Sequence, residues 1–83
     1  MYIAKVYVTL KPTVNDPQGL TVLNGLKNLG FDSVSNVRMG KYVEIFIQER
    51  RKAQAEIKIR KMCDKLLTNP VIEEYRFELI EAQ

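Results

Sequence analysis

Histidine is absent from these 83 residues, and cysteine occurs once, as Cys63. With one thiol there is no internal disulfide, and without imidazole a transition-metal centre lacks its commonest ligands. A nucleophile–base pair is equally hard to assemble, and Cys63 falls on the apolar side of a predicted helix, where a buried core residue is expected. The four glycines are scattered. Neither GxxxxGK[ST] nor GxGxxG occurs, so the chain has no loop of its own to cradle a phosphate. No apolar run reaches membrane-spanning length, and "MYIAKVYV" is too short and too interrupted by Lys5 for a signal-peptide core, so a cytoplasmic location is expected and membrane association is not.

What is present describes an ordinary folded domain. Hydrophobic residues make up 46% and charged residues 28%, with 13 basic against 10 acidic side chains. A net charge of +3 is too small to name a partner. A length of 83 residues supports one domain, here 1–83, whose core alone gives modest stability.

The even positions Tyr2, Ala4, Val6, Val8 and Leu10 alternate with Lys5 and Thr9 as the apolar face of a strand. "NDPQG" reads as a helix start with Asp16 as N-cap and Pro17 at the first helical position. Leu20, Val22, Leu23, Leu26 and Leu29 continue that helix to a stop at Gly30. In "VRMGKYVEI" the apolar residues Val37, Met39, Val43 and Ile45 keep one parity. A two-residue hairpin closed by Gly40 and Lys41 would set Val37 opposite Glu44 and split that set between faces. An odd-length turn or one long strand bent near Gly40 keeps it together, and the bent strand is the expectation.

A second helix is predicted from about Arg51 to Leu67, with Ala55, Ile59, Met62, Cys63, Leu66 and Leu67 on one face and Ile57 off that stripe. "TNP" ends it, and Val71, Tyr75, Phe77 and Leu79 alternate as a last strand. Strand, helix, strand, helix, strand gives an α+β class of split β-α-β, ferredoxin-like type: an antiparallel sheet with two helices on one face. The opposite sheet face then carries Ile3, Tyr7, Tyr42, Phe46, Ile72 and Ile80, an apolar and aromatic set that marks association with another copy or a partner.

Charged candidates are fewer. Glu73 and Glu74 are adjacent on a strand and point to opposite faces, which rules against a carboxylate pair. "RRK" at 50–52 precedes a helix whose dipole it opposes, as a solvated loop or partner contact would. Arg38 and Lys41 flank Gly40 as an anion-binding or partner-facing pair, or as two solvated charges. "GKYVEIFI" lacks the RNP pattern, so nucleic acid is not an expected partner.

Three segments, "KVYVTLKPTVNDPQG", "VRMGKYVEI" and "MCDKLLTNPVIEEYRFEL", together resemble the PurS family, the small subunit of phosphoribosylformylglycinamidine synthase. The similarity spans nearly the whole chain, with Thr68 standing where alanine is expected and the segment from Glu49 to Lys58 matching least. It implies a non-catalytic subunit of de novo purine biosynthesis that bridges an ATP-dependent synthetase, PurL, and a glutaminase, PurQ, and helps ammonia pass between them. No cofactor is expected on this chain, and ATP and magnesium belong to the synthetase. The resemblance further implies a homodimer or tetramer, joined through the spare sheet face, with Arg38, Lys41 and Ile57 as contacts to the other subunits. The alternative is a ferredoxin-like domain that senses a small molecule between subunits.

Overall fold

The computed structural model describes residues 1–82. Three strands, β1 (Tyr2–Leu10), β2 (Gly40–Ile47) and β3 (Glu73–Glu81), form one antiparallel sheet in the order β2-β1-β3. Helix α1 (Pro17–Asn28) links β1 to β2, and α2 (Lys52–Met62) runs into a π-helical turn, Cys63–Leu67, before β3. The α+β class, the antiparallel sheet and the two helices are those the alternation predicts.

β1 occupies the centre because its even residues are the most continuously apolar, and it is there that they become fully buried. Ala4, Val6 and Val8 pack against Ala55 and Ile59 of α2 and against Cys63. Each large side chain so buried contributes roughly 2 kcal/mol. The register sets Val6 between Val43 and Phe77, and Ala4 between Ile45 and Leu79, so all three strands present one apolar face to α2.

The two helices contribute unequally to the core. α2 supplies the core, with Arg60 standing over the Phe77 ring at 5.1 Å and Asp64 accepting a 2.9 Å hydrogen bond from the Tyr75 hydroxyl. No side chain of α1 enters the core cluster. The radius of gyration, 16.3 Å, exceeds the about 12 Å of a compact chain of this length, and the longest dimension is 50 Å, well beyond the about 30 Å span of a nine-residue strand. α1 is held outboard by its own N-terminal loop. One oxygen of Asp16 accepts the Gly19 N–H at 2.9 Å, and the other accepts the Met39 N–H at 2.7 Å. The Arg38 guanidinium donates to the carbonyls of Lys11 and Val14 at 3.0 and 2.9 Å. A side chain at Gly19 would collide with the Val37 carbonyl, which explains a glycine inside the first turn.

That loop also corrects the expectation for the middle strand. It is not one long strand bent near Gly40: β2 begins at Gly40, and Val37 and Met39 lie before it in irregular chain. The Met39 N–H is taken by Asp16 and is not free for a sheet ladder. Gly40 itself lies so close to β1 that a Cβ would sit 2.5 Å from the Val8 carbonyl.

Val71 and Ile72 are likewise not strand residues. The turn after the π-helical segment holds them, because Asn69 closes it with a side-chain oxygen on the Val71 N–H (3.1 Å) and a carbonyl on the Glu73 N–H (2.7 Å). Glu73 returns a carboxylate to the Asn69 N–H at 2.6 Å, a structural role for one of the paired glutamates.

Candidate functional site

The sheet face turned away from α2 is covered by neither helix, and its side chains follow from the register. Phe46, Ile3 and Ile80 form an apolar row across β2, β1 and β3. The next row is Glu44, Lys5 and Glu78, and beyond it stand Tyr42, Tyr7 and Arg76. Phe46 is 62% exposed, Tyr42 49% and Ile80 42%. Water against such side chains is costly, and a row of them across three strands is the size of patch that marks a contact surface.

The aromatic row is held in place by its own contacts. The rings of Tyr7 and Tyr42 are 5.1 Å apart and tilted at 42°, and the Arg76 guanidinium lies 4.1 Å over the Tyr7 ring. The Tyr42 hydroxyl donates to Glu44 at 3.0 Å. Desolvation by the neighbouring side chains, reinforced by that carboxylate, pushes the Tyr42 phenol up to about 12. At its end the row borders a depression of about 510 Å³ lined by Tyr7, Val8, Thr9, Gly40, Lys41, Tyr42, Glu74, Tyr75 and Arg76. Aromatic, cationic and apolar groups at hand make this a surface for recognition, with the aromatic and arginine anchors that dominate interface energetics.

Of the six residues expected on this face, five share it: Ile3, Tyr7, Tyr42, Phe46 and Ile80. Ile72 lies in the turn before β3, and its carbonyl accepts the Lys11 N–H at 2.8 Å. Arg76 escaped the sequence reading, although its parity with Ile80 was the signal for it. Of the other candidates, Ile57 and Arg38 lie apart. Ile57 is exposed on the outer side of α2, away from Ala55 and Ile59. Lys41 opposes Val8 at the start of β2 and lines the depression beside Tyr42, whereas Arg38 is committed to the Lys11 and Val14 carbonyls and lines a different one.

Cys63 is buried, and burial, with the charge of Asp64, pushes its thiol up despite the opposing influence of Arg60. Among the described residues no three histidine, cysteine or acidic side chains come together as a metal-binding group, and no helix is long and apolar enough to cross a membrane.

A three-stranded split β-α-β sheet with one face left for contact defines a small α+β recognition module. Its family is explicit: the PurS model, phosphoribosylformylglycinamidine (FGAM) synthase, matches residues 3–81, and the chain belongs to that family. It is 49% identical over 78 residues to the phosphoribosylformylglycinamidine synthase subunit PurS of Synechocystis, covering 94% of this chain and 78% of that one. The crystal structure of Methanocaldococcus jannaschii PurS superimposes with a TM-score of 0.89 at 36% identity, over the full length of both chains. A chain of the Thermotoga maritima PurLQS structure superimposes at 0.85 with 28% identity, covering 96% of this chain and 99% of that one. The protein is thus a subunit of FGAM synthase, a ligase of purine biosynthesis, and the small-molecule sensor is not favoured.

Proposed function

We propose that the chain is the non-catalytic scaffold of its FGAM synthase, joining an ATP-dependent synthetase subunit to a glutaminase subunit and supporting ammonia transfer between them. The observation that carries this reading is the uncovered sheet face, where Phe46, Ile3 and Ile80 align beside Tyr42, Tyr7 and Arg76 in a chain whose relative occurs in a PurLQS assembly. Copies of the chain meet through this face as a homodimer or tetramer in the cytoplasm, like a domain core cut in half. The outer surface of α2, marked by Ile57, faces the larger subunits, together with Lys41 and the loop that Arg38 braces. ATP and magnesium are used by the synthetase subunit, and this chain holds no cofactor. The test is reconstitution: FGAM formation from glutamine and from free ammonia, with and without this chain. Loss of the glutamine-driven reaction alone supports the scaffold, and indifference of both reactions overturns it.

A further inference from the structure

Charge is unevenly spread along the chain. The segment from Glu49 to Lys65 holds seven of the 13 basic residues and three of the 10 acidic ones, a net +4, which leaves −1 for all the others. α2 lies within that segment and has two unlike flanks. Toward β3, Arg60 stands over Phe77 and pairs with Glu56, and Asp64 holds Tyr75, so acids and cations balance. Spacings of seven, three and four place Arg51, Lys58, Lys61 and Lys65 on the other flank, all four exposed. Of these, among the described residues, only Lys58 has an acidic partner, Glu49. The stripe runs for roughly 21 Å, which sets its cations along a line of contact rather than at a point. Helix stability explains Lys61 and Lys65 near the end of α2 but not Arg51 and Lys52 at its start. There the first turn has no acidic residue and no side-chain cap, and the dipole disfavours cations.

We propose that this basic flank docks on an acidic protein surface of the synthetase–glutaminase pair, and that its charge speeds the encounter. The inference rests on the reading that the outer side of α2 faces the larger subunits, and it adds the chemistry of what α2 meets there. Ile57, 48% exposed, stands next to Lys58 and one turn before Lys61. An apolar anchor with a cationic rim has the build of a protein contact. A nucleic-acid strand calls for aromatic rings to stack on, and the Tyr7–Tyr42 pair lies across the sheet, on the face turned away from α2. Solvated charges such as these add little to affinity, but they raise the association rate toward a partner of opposite sign. The signature is therefore kinetic, and salt removes it.

Lys61→Glu with Lys65→Glu tests it, and Lys61→Gln with Lys65→Gln is the milder pair that adds no acid near the end of the helix. Association with the assembled synthetase–glutaminase pair is followed by stopped flow from about 50 mM to about 500 mM salt. The wild-type rate should fall at least about tenfold over that range. At low salt the Gln pair should associate about threefold and the Glu pair about tenfold more slowly, with shallower salt dependence and the wild-type helix content. Equal rates and salt slopes in wild type and a folded variant overturn the proposal, as does a wild-type rate that salt leaves unchanged. Binding of a mixed-sequence oligonucleotide that the variants lose, with subunit kinetics unaltered, overturns it in favour of nucleic acid. The two readings separate in the outcome. Unaltered kinetics with glutamine-driven synthesis still dependent on the chain contradicts only this proposal, whereas no association of wild type with the pair overturns both.

Discussion

Asp16 and Met39, 23 positions apart, are joined by a 2.7 Å hydrogen bond from the Met39 N–H to the Asp16 carboxylate. The same carboxylate caps α1 at Gly19. One side chain therefore sets where α1 starts, how it leaves β1 and where β2 can begin.

Removing it should be felt throughout. Asp16→Ala is expected to lower Tm by roughly 5 °C, the order seen when a helix cap is lost from a domain of this size. The Met39 bond, and then the Gly19 bond, hold the Asp16 carboxyl below its ordinary value of 3.8. The unfolded state therefore takes up the proton first. Stability from this group is complete above pH 3.8 and is lost as the pH falls through its lower folded value. Thermal melts of wild type and Asp16→Asn across the acid range should converge as the pH drops.

Glycine substitutions should separate close approach from simple flexibility. Gly19→Ala puts a methyl group against the Val37 carbonyl and is expected to destabilise the fold, whereas nothing lies within 4 Å of a Cβ at Gly25. Gly25→Ala, inside α1, should stabilise by about 0.5–1 kcal/mol. Denaturant titrations of the two variants would show opposite signs.

Much of this was legible in the residues. Strict alternation in β1 and β3, the Asp16-Pro17 start and the Gly30 stop, with its φ of +96°, name their elements outright. Parity also placed Tyr7, Tyr42 and Phe46 on one face. What escaped was long-range: the apolar parity of Val37 and Met39 imitates a strand, but the competing bond from Asp16 decides their backbone. The apolar stripe of α1 reads as a core helix, and no local signal tells that its base is clamped away from its own sheet. Arg38 looked free until the carbonyls of Lys11 and Val14 claimed it.

Tyr42 offers a spectroscopic check on the aromatic row. Its phenol should ionise near pH 12 in the folded protein. Because the folded value is raised, its contribution is complete below the ordinary value of 10.0 and is lost as the pH climbs through about 12. Alkaline absorbance titration of wild type against Tyr42→Phe should show the last tyrosine transition missing in the variant. A transition near 10 assigned to Tyr42 would mean that the row is not assembled.

Ile57 is exposed on α2 while Ile59, two residues on, is fully buried. Ile57→Asp should leave Tm within about 2 °C, as surface changes do, yet weaken capture of the synthetase and glutaminase subunits at least tenfold. Affinity measured by calorimetry against each isolated subunit checks this, and unaltered binding by the variant removes Ile57 from the interface.

The central claim concerns the open sheet face, and Phe46→Asp addresses it most directly. In a reconstituted complex, wild-type chain should restore glutamine-driven FGAM formation. Phe46→Asp, folded but smaller in sedimentation, should leave that reaction near background and spare synthesis from free ammonia. A full glutamine-driven rate with the variant, or with no chain added, would contradict the account.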